Sequence, residues 1–420
     1  MKKKILIKAP LLSRSGYGEQ SRFALRSLRT REDLFDIYVL NLNWGGTGQI
    51  AENSEESQYI KRSIEKLTAY ANSAGGQPTF DISLQITVPN EFEKIAPVNI
   101  GYTAGIETTR VAGEWIQKSN AACDKLIVIS NHSKKVFEQT KYDIQTPDGT
   151  HMKDWGLQVP VEVVNYPVRE HDAEELNIDL VTDTNYLCVA QWGVRKNMEN
   201  TINWFVEEFK DNPDVGLIVK TNSVKESILD REHTTARLAG LLAQHTDRKC
   251  KIYLLHGEVS PGQLTWLYQH PTMKALINIG HGEGFGLPMF EAAYNGLPLI
   301  TVPWSGQLDF ICKPNKNKKN VPKIIKVDYD LKPVQAEAVW KGVIEAESMW
   351  CYAREASYKK ALRESLTKEK HYKKEAAILQ KHILKNFTAE KMYEQFRTAI
   401  YDPSPEELEW LEQMEDIQIL

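Results

Sequence analysis

Short apolar runs alternate with amphipathic stretches along most of this chain, and that alternation fixes the fold class before any single residue is weighed. In the first half, Lys4 to Lys8, Phe35 to Leu42, Phe80 to Val88, Val98 to Thr103, Lys125 to Ser130 and Val161 to Tyr166 read as strands. A second series follows at Asn185 to Gln191, Val215 to Thr221, Lys251 to His256, Ala275 to Ile279 and Leu299 to Val302. Helical patterns lie between several of them, as at Met198 to Phe209 and Pro261 to Gln269. Strands that alternate with helices build parallel sheets with helices packed on them. At 420 residues the chain exceeds what one hydrophobic core serves, so two such α/β domains are expected. The acidic segment Pro167 to Asp183, poor in apolar periodicity, reads as the hinge. Asn43 to Glu56 and Thr146 to Gly156 read as long loops, and Val334 to Leu384 as charged and helical, a pattern that Thr388 to Ile400 continues.

Within the second series, residues 281–298 carry the strongest chemical signal. Glu283 and Glu291 stand on either side of a glycine-rich strand-to-helix turn, with Gly280, Gly282, Gly284 and Gly286 where a Cβ would clash. Pro288 suits a first helical turn, and the helix ends near Gly296. Helix-start N–H groups hold a diphosphate well, and flanking carboxylates accept hydrogen bonds from sugar hydroxyls. With Phe285, Leu287, Glu291-Ala292 and Gly296-Leu297-Pro298 in register, the pattern resembles the signature of nucleotide-sugar-dependent glycosyltransferases of the two-domain GT-B fold. The similarity is specifically to the retaining group called glycosyl transferases group 1. The bland alternative is two ordinary polar residues at a strand-helix junction.

The resemblance implies roles residue by residue. Glu283 lies near the hydroxyls of the transferred sugar and Glu291 binds the nucleotide ribose, with Gly284, Phe285, Gly286 and Leu287 lining the donor. In the family a basic pair near the first turn of the second domain neutralises the donor diphosphate. Lys196 matches its lysine, whereas Gln191 stands at the arginine position and Arg195 is the nearest replacement. Lys220, at a strand's carboxyl end, and His256 and Glu258, before the next helix, are further donor-side candidates. In the first domain, Gly16 and Gly18 resemble the loop facing the sugar. Glu107 occupies the region where relatives place a histidine, and His132 marks a later strand-helix turn on the acceptor side. The run Gly105-Ile106-Glu107-Thr108-Thr109 followed by Trp115 looks like viral members of the superfamily. The fold also implies domains at residues 1–170 and 171–385, and a segment 386–420 that crosses back to the first domain and ends in an acidic tail around Trp410 and Leu411.

Composition narrows the partners. A formal net charge of −4 announces neither nucleic acid nor anionic lipid globally. Local charge remains: Lys313, Lys316, Lys318, Lys319, Lys323 and Lys326 form a basic run, usually a solvated loop, that suits a phosphate-rich acceptor. Five scattered cysteines form no Cys-x-x-Cys pair and suit a reducing cytoplasm, a host's if the protein is phage-encoded. No apolar run approaches a membrane span, the opening lysine-rich stretch is too short for a leader, and no metal or cofactor is expected. The expectation is thus a retaining, metal-independent hexosyl- or pentosyltransferase that takes a nucleotide sugar and hands the sugar to an acceptor hydroxyl of a glycan or other polymer. The alternatives are a phage DNA glycosyltransferase acting on hydroxymethylated bases, a different enzyme such as an epimerase or phosphorylase on the same fold, and a GT-B protein that binds sugar nucleotides without turnover.

Overall fold

The computed structural model describes residues 2–50, 53–146, 148–315, 317, 319–407 and 409. Two six-stranded sheets, each wholly parallel, organise them. The first runs in the order Phe35–Asn41, Lys3–Ala9, Ile82–Ile86, Val98–Thr103, Lys125–Val128, Val161–Val163. The second runs Lys251–Leu255, Val215–Lys220, Thr184–Val189, Met273–Asn278, Leu299–Thr301, Ile325–Lys326. In both, the first strand sits inside the sheet and the chain steps outward on one side before crossing to the other. That reversal leaves a crevice beyond the strands' carboxyl ends, after Ala9 and Ile86 in one sheet and after Val189 and Asn278 in the other. The two crevices meet.

Local chemistry explains the helices that frame them. Ser15 opens the helix Gly16–Arg29 by accepting from the Gly18 N–H, and Ser260 with Gln263 forms a capping box at Pro261–Gln269. Met198–Phe209 buries Met198, Ile202, Phe205, Val206 and Phe209, a 3.6-period stripe turned onto the second sheet. An aromatic chain ties the domains together. Phe23 packs against Tyr166 and Phe396, Tyr166 against Phe285, and Phe285 against Phe290 and Phe310. Phe396 belongs to the helix Ala389–Ile400, which returns from the second domain to lie on Gly16–Arg29, and Lys125 Nζ donates to the Ala399 carbonyl at 2.9 Å.

Two stretches differ from their sequence reading. Thr146–Gly156 is not a loop throughout, because His151–Gly156 pairs antiparallel with Lys141–Gln145 and only the tip is irregular. Val334–Leu384 becomes helical only from Glu355. Before that, Tyr329–Pro333 pairs with Met349–Ala353, and the buried Trp350 stacks on His281 with centroids 4.9 Å apart. That packing overrides a locally charged, helix-like composition. Trp410 and Leu411 of the acidic tail lie outside the described residues.

Because Phe396 also meets Tyr102 at 5.0 Å, Phe396→Ala removes a ring from the first domain's core although it lies near the far end of the chain. A loss of about 3–5 kcal/mol in denaturant unfolding is expected. A loss under about 1 kcal/mol would show that the returning helix is loosely docked.

Candidate active site

At the second sheet's crevice the chain leaves Thr184–Val189 and makes a tight turn, Val194–Lys196, that ends at Asn197 with φ 52° and ψ 37°. Asn197 accepts this left-handed conformation more readily than most residues, and its side chain donates to the Ile279 carbonyl at 3.1 Å. The His281 N–H donates to the Arg195 carbonyl at 2.8 Å. These bonds fasten the basic turn to the glycine-rich turn. On the latter, the Ser305 hydroxyl accepts from Glu283 N at 2.9 Å, and Gly306 N donates to the Glu283 carbonyl at 2.9 Å.

Glu283 is thereby held with 7% exposure, and its carboxylate is the centre of a charge cluster. Lys196 Nζ reaches Oε1 at 2.5 Å, Arg195 Nη1 reaches Oε2 at 3.2 Å, and Asn278 Nδ2 donates at 3.3 Å. Arg195 also donates to the Gly282 carbonyl at 2.7 Å and extends Nη2 to within 3.4 Å of Glu107 Oε1 on the first domain. Burial by itself would raise the pKa of Glu283, but Lys196 and Arg195 outweigh it and hold it at about 2. Burial also pulls Lys196 below its ordinary value, aided by Arg195 and opposed by Glu283. Arg195 is pushed up, because Glu107 and Glu283 together overcome its desolvation.

The cluster needs two backbones to touch across the cleft. A Cβ at Gly282 would stand 2.1 Å from the Glu107 carbonyl, and one at Gly284 would stand 2.2 Å from that of Ala104. Gly286 caps the helix Leu287–Tyr294 at φ 94°, a left-handed conformation that suits glycine. In the first domain the same tightness applies to Gly18, whose Cβ would fall 1.9 Å from the Ser13 carbonyl. It does not apply to Gly16, which has no atom within 4 Å of that position.

Glu291, on the helix Leu287–Tyr294, is in a different electrostatic state. Burial pushes its pKa up to about 7, although Tyr268 donates to Oε2 at 3.0 Å. Glu19 adds to the rise from across the cleft, and Arg169 opposes it. Arg169 in turn pairs with Glu19 at 2.8 Å.

Other candidates are engaged by the protein itself. Phe285 turns its ring into the core at 2% exposure, so only its backbone belongs to the turn; Leu287 is half-buried against the same core. Lys220 Nζ contacts Glu226 at 3.1 Å and the Gly257 carbonyl at 2.8 Å. His256 lies beneath the segment that follows Lys220, its Nε2 2.9 Å from Asp230, with a side chain only 2% exposed. Glu258 remains exposed and pairs with Arg14 of the first domain at 3.2 Å. His132 Nε2 lies 3.1 Å from the Thr108 carbonyl, and burial pulls the ring down to about 4, so it is neutral at pH 7. In the lysine run, Lys323 pairs with Glu375 at 2.7 Å and Lys326 with Asp328 at 2.8 Å, while Lys319 is exposed. Lys316 and Lys318 lie outside the described residues. Sequence reasoning passed over Asn278, Ser305 and Asp309. Trp304-Ser305-Gly306, directly after the strand Leu299–Thr301, repeats the strand-turn-helix pattern and was the available signal.

No family model and no curated protein matches the sequence. Solved structures do. A sucrose-phosphate synthase from Thermosynechococcus elongatus aligns over 95% of this chain and 98% of its own, at 11% identity and a TM-score of 0.60. A glycosyltransferase from Rickettsia africae aligns over 99% and 100%, at 12% identity and 0.56. Anabaena HepE, solved with UDP-glucose, aligns over 94% and 99%, at 10% identity and 0.55. The chain spans 55% of an S. aureus TarM mutant, at 12% identity and a TM-score of 0.48. At such identities the likeness is one of fold, and that fold is GT-B: two Rossmann-like domains facing a central cleft.

The state of Glu291 is open to measurement. An acid whose folded pKa exceeds its unfolded value binds its proton more tightly when folded, so stability falls as pH rises from 4.5 to about 7. Glu291→Gln is expected to remove that fall, worth at most about 3 kcal/mol, when denaturant midpoints at pH 5 and pH 8 are compared with wild type. Parallel pH curves for the two proteins would place the titration elsewhere.

Proposed function

We propose that this protein is a retaining glycosyltransferase that moves a sugar from a nucleotide-sugar donor to an acceptor hydroxyl. The observation that carries the reading is Glu283, ionised and clasped by Arg195 and Lys196 where the carboxyl edges of two Rossmann-like sheets meet. Breaking a glycosidic bond to a diphosphate throws negative charge onto the leaving group. Two half-buried cations beside a helix start are suited to that charge, and they act most strongly in a closed, water-poor cleft. Glu283 then accepts hydrogen bonds from hydroxyls of the transferred sugar, and Glu291 from the ribose. In the retaining, front-face mode the departing diphosphate oxygen takes the acceptor proton, so no side chain serves as base. HepE was solved with UDP-glucose, which makes a uridine donor the first to test.

With cations rather than a bound metal meeting the diphosphate, activity is expected to persist in EDTA. The pairing of Lys323 with Glu375 and of Lys326 with Asp328 spends part of the lysine run on the protein itself, which favours a glycan over DNA as acceptor. Five free cysteines suit a cytoplasmic setting.

Incubation with UDP-, GDP- and ADP-sugars, followed by assay of released nucleoside diphosphate, tests the reading. Turnover with at least one donor is expected, with the sugar's anomeric configuration kept in the product. Lys196→Ala should lower kcat about 10²–10³-fold with little change in KM, because the charge it meets develops in the transition state. Glu291→Ala should weaken nucleotide binding by about 1–3 kcal/mol in calorimetry. Absence of both turnover and nucleotide binding would remove the proposal.

A further inference from the structure

The lobe Val334–Ser348, carried on the pair Tyr329–Pro333 and Met349–Ala353, takes no part in the donor chemistry. Its base is fastened to the charged turns. His281 Nδ1 donates to the Cys351 carbonyl at 2.7 Å, which leaves Nε2 to accept from Gln335 Nε2 at 3.2 Å. The short turn Ala336–Ala338 packs on Val194–Lys196. The outer end reaches the first domain, where Val343 packs on the cluster around Trp115 and Met349 N donates to Thr109 Oγ1 at 2.9 Å. Thr109 N returns a bond to the Met349 carbonyl at 2.9 Å. Glu107, two residues earlier, is the partner of Arg195. Trp340 and Ile344 exchange backbone hydrogen bonds of 3.0 and 2.7 Å, so the tip is a fixed turn.

On this fixed tip Trp340 is 66% exposed, beside Val339, and Val194 on the basic turn is also exposed. The exposed indole thus stands on a braced lobe, two residues beyond the turn that packs on Val194–Lys196. The charges of the lobe and of the first-domain residues facing it restrict the occupant. Glu337, Glu345 and Glu347 belong to the lobe, and Glu114 faces Gly342 from the first domain. Against them stand Lys341 and Arg110, and Arg110 is laid over the Tyr142 ring at 4.6 Å. An excess of carboxylates repels a phosphate chain and offers acceptors to hydroxyl groups.

We infer that Trp340 is the stacking platform of the acceptor site and that the acceptor is an uncharged carbohydrate, an inference that rests on the transferase reading above. The apolar face of a pyranose lies flat on the indole, and the surrounding carboxylates receive its hydroxyls. A nucleobase could stack on the same ring, but its phosphates would run along the carboxylates.

Incorporation of 5-fluorotryptophan, with the Trp340 resonance assigned through Trp340→Phe, gives a direct probe. Maltoheptaose, cellohexaose, chitohexaose and xylohexaose are titrated separately, and a single-stranded oligonucleotide is the contrast. At least one oligosaccharide is expected to shift the Trp340 signal, with an affinity unchanged between about 50 and about 500 mM salt. Trp340→Ala should weaken that affinity and raise the acceptor KM about tenfold, while Trp340→Tyr keeps most of both. Hydrolysis of nucleotide sugar without acceptor should keep its kcat and KM in Trp340→Ala. A Trp340 signal unmoved by every oligosaccharide, or moved only by the oligonucleotide and lost with salt, overturns the inference. Oligosaccharide binding at Trp340 in a protein that turns over no nucleotide sugar would sink the transferase reading and leave the platform standing.

Discussion

Glu283 is a carboxylate taken out of water at the point where two domains meet, and the surrounding architecture makes that tolerable. Desolvating an ion is costly unless paired charges and hydrogen bonds replace the lost water. Here Lys196, Arg195 and Asn278 supply them: the two cations sit on the turn that Asn197 closes and ties to Ile279, and Asn278 ends the strand that leads into the glycine-rich turn. The strand order sets this up. Thr184–Val189 and Met273–Asn278 are neighbours in the second sheet, so the basic turn that follows one and the glycine-rich turn that follows the other open into the same crevice. The cluster of Glu107, Glu283, Arg195 and Lys196 balances two negative charges with two positive ones. An anion entering it must compete with Glu283 for the same cations.

The contacts that bring the first domain to this point are mostly polar and few of them are local. Asp309 Oδ2 accepts from Asn131 N at 2.9 Å, Asn131 Nδ2 at 3.1 Å and Asn165 Nδ2 at 2.9 Å. Arg14 meets Glu258, and Thr109 exchanges bonds with Met349. Such contacts re-form with water when a cleft opens, unlike a buried apolar interface, and they suit a joint that moves between domains. The aromatic chain through Tyr166, Phe285 and Phe310, by contrast, is apolar and buried.

How much of this was legible in the sequence depends on distance along the chain. Met198–Phe209 and Pro261–Gln269 match their reading to the residue, because apolar periodicity, a capping serine and a proline are local signals. The parallel sheets were legible for the same reason. The strand pair around Trp350 was not, since its strands survive through a partner, His281, that lies about seventy residues away, and local composition pointed to a helix. At the site, Glu283, Arg195, Lys196 and Glu107 were each named separately, but nothing in the sequence brings Glu107 to Arg195 or Glu19 to Arg169. Lys220 read as ligand-facing because it ends a strand at the right sheet edge, and His256 was a donor-side candidate because its stretch resembles the one that packs around the nucleobase. Their engagement by Glu226 and Asp230 depends on how the segment after Lys220 folds back, which no spacing rule encodes.

Gln191 sharpens the last point. It stands where the resemblance to the glycosyltransferase signature implies an arginine, and its side chain donates to the Ser223 carbonyl at 2.8 Å, a neutral bond that brings no charge to the cleft. The positive charge is supplied four residues later by Arg195, whose guanidinium is long and planar enough to hold the Gly282 carbonyl, Glu283 and Glu107 at once. Moving the charge from the strand end to the turn changes what it depends on. An arginine at position 191 would belong to the second domain alone, whereas Arg195 is oriented by a carboxylate of the first. The Arg195–Glu107 pair therefore spans the two domains, whereas the Lys196–Glu283 pair lies within the second.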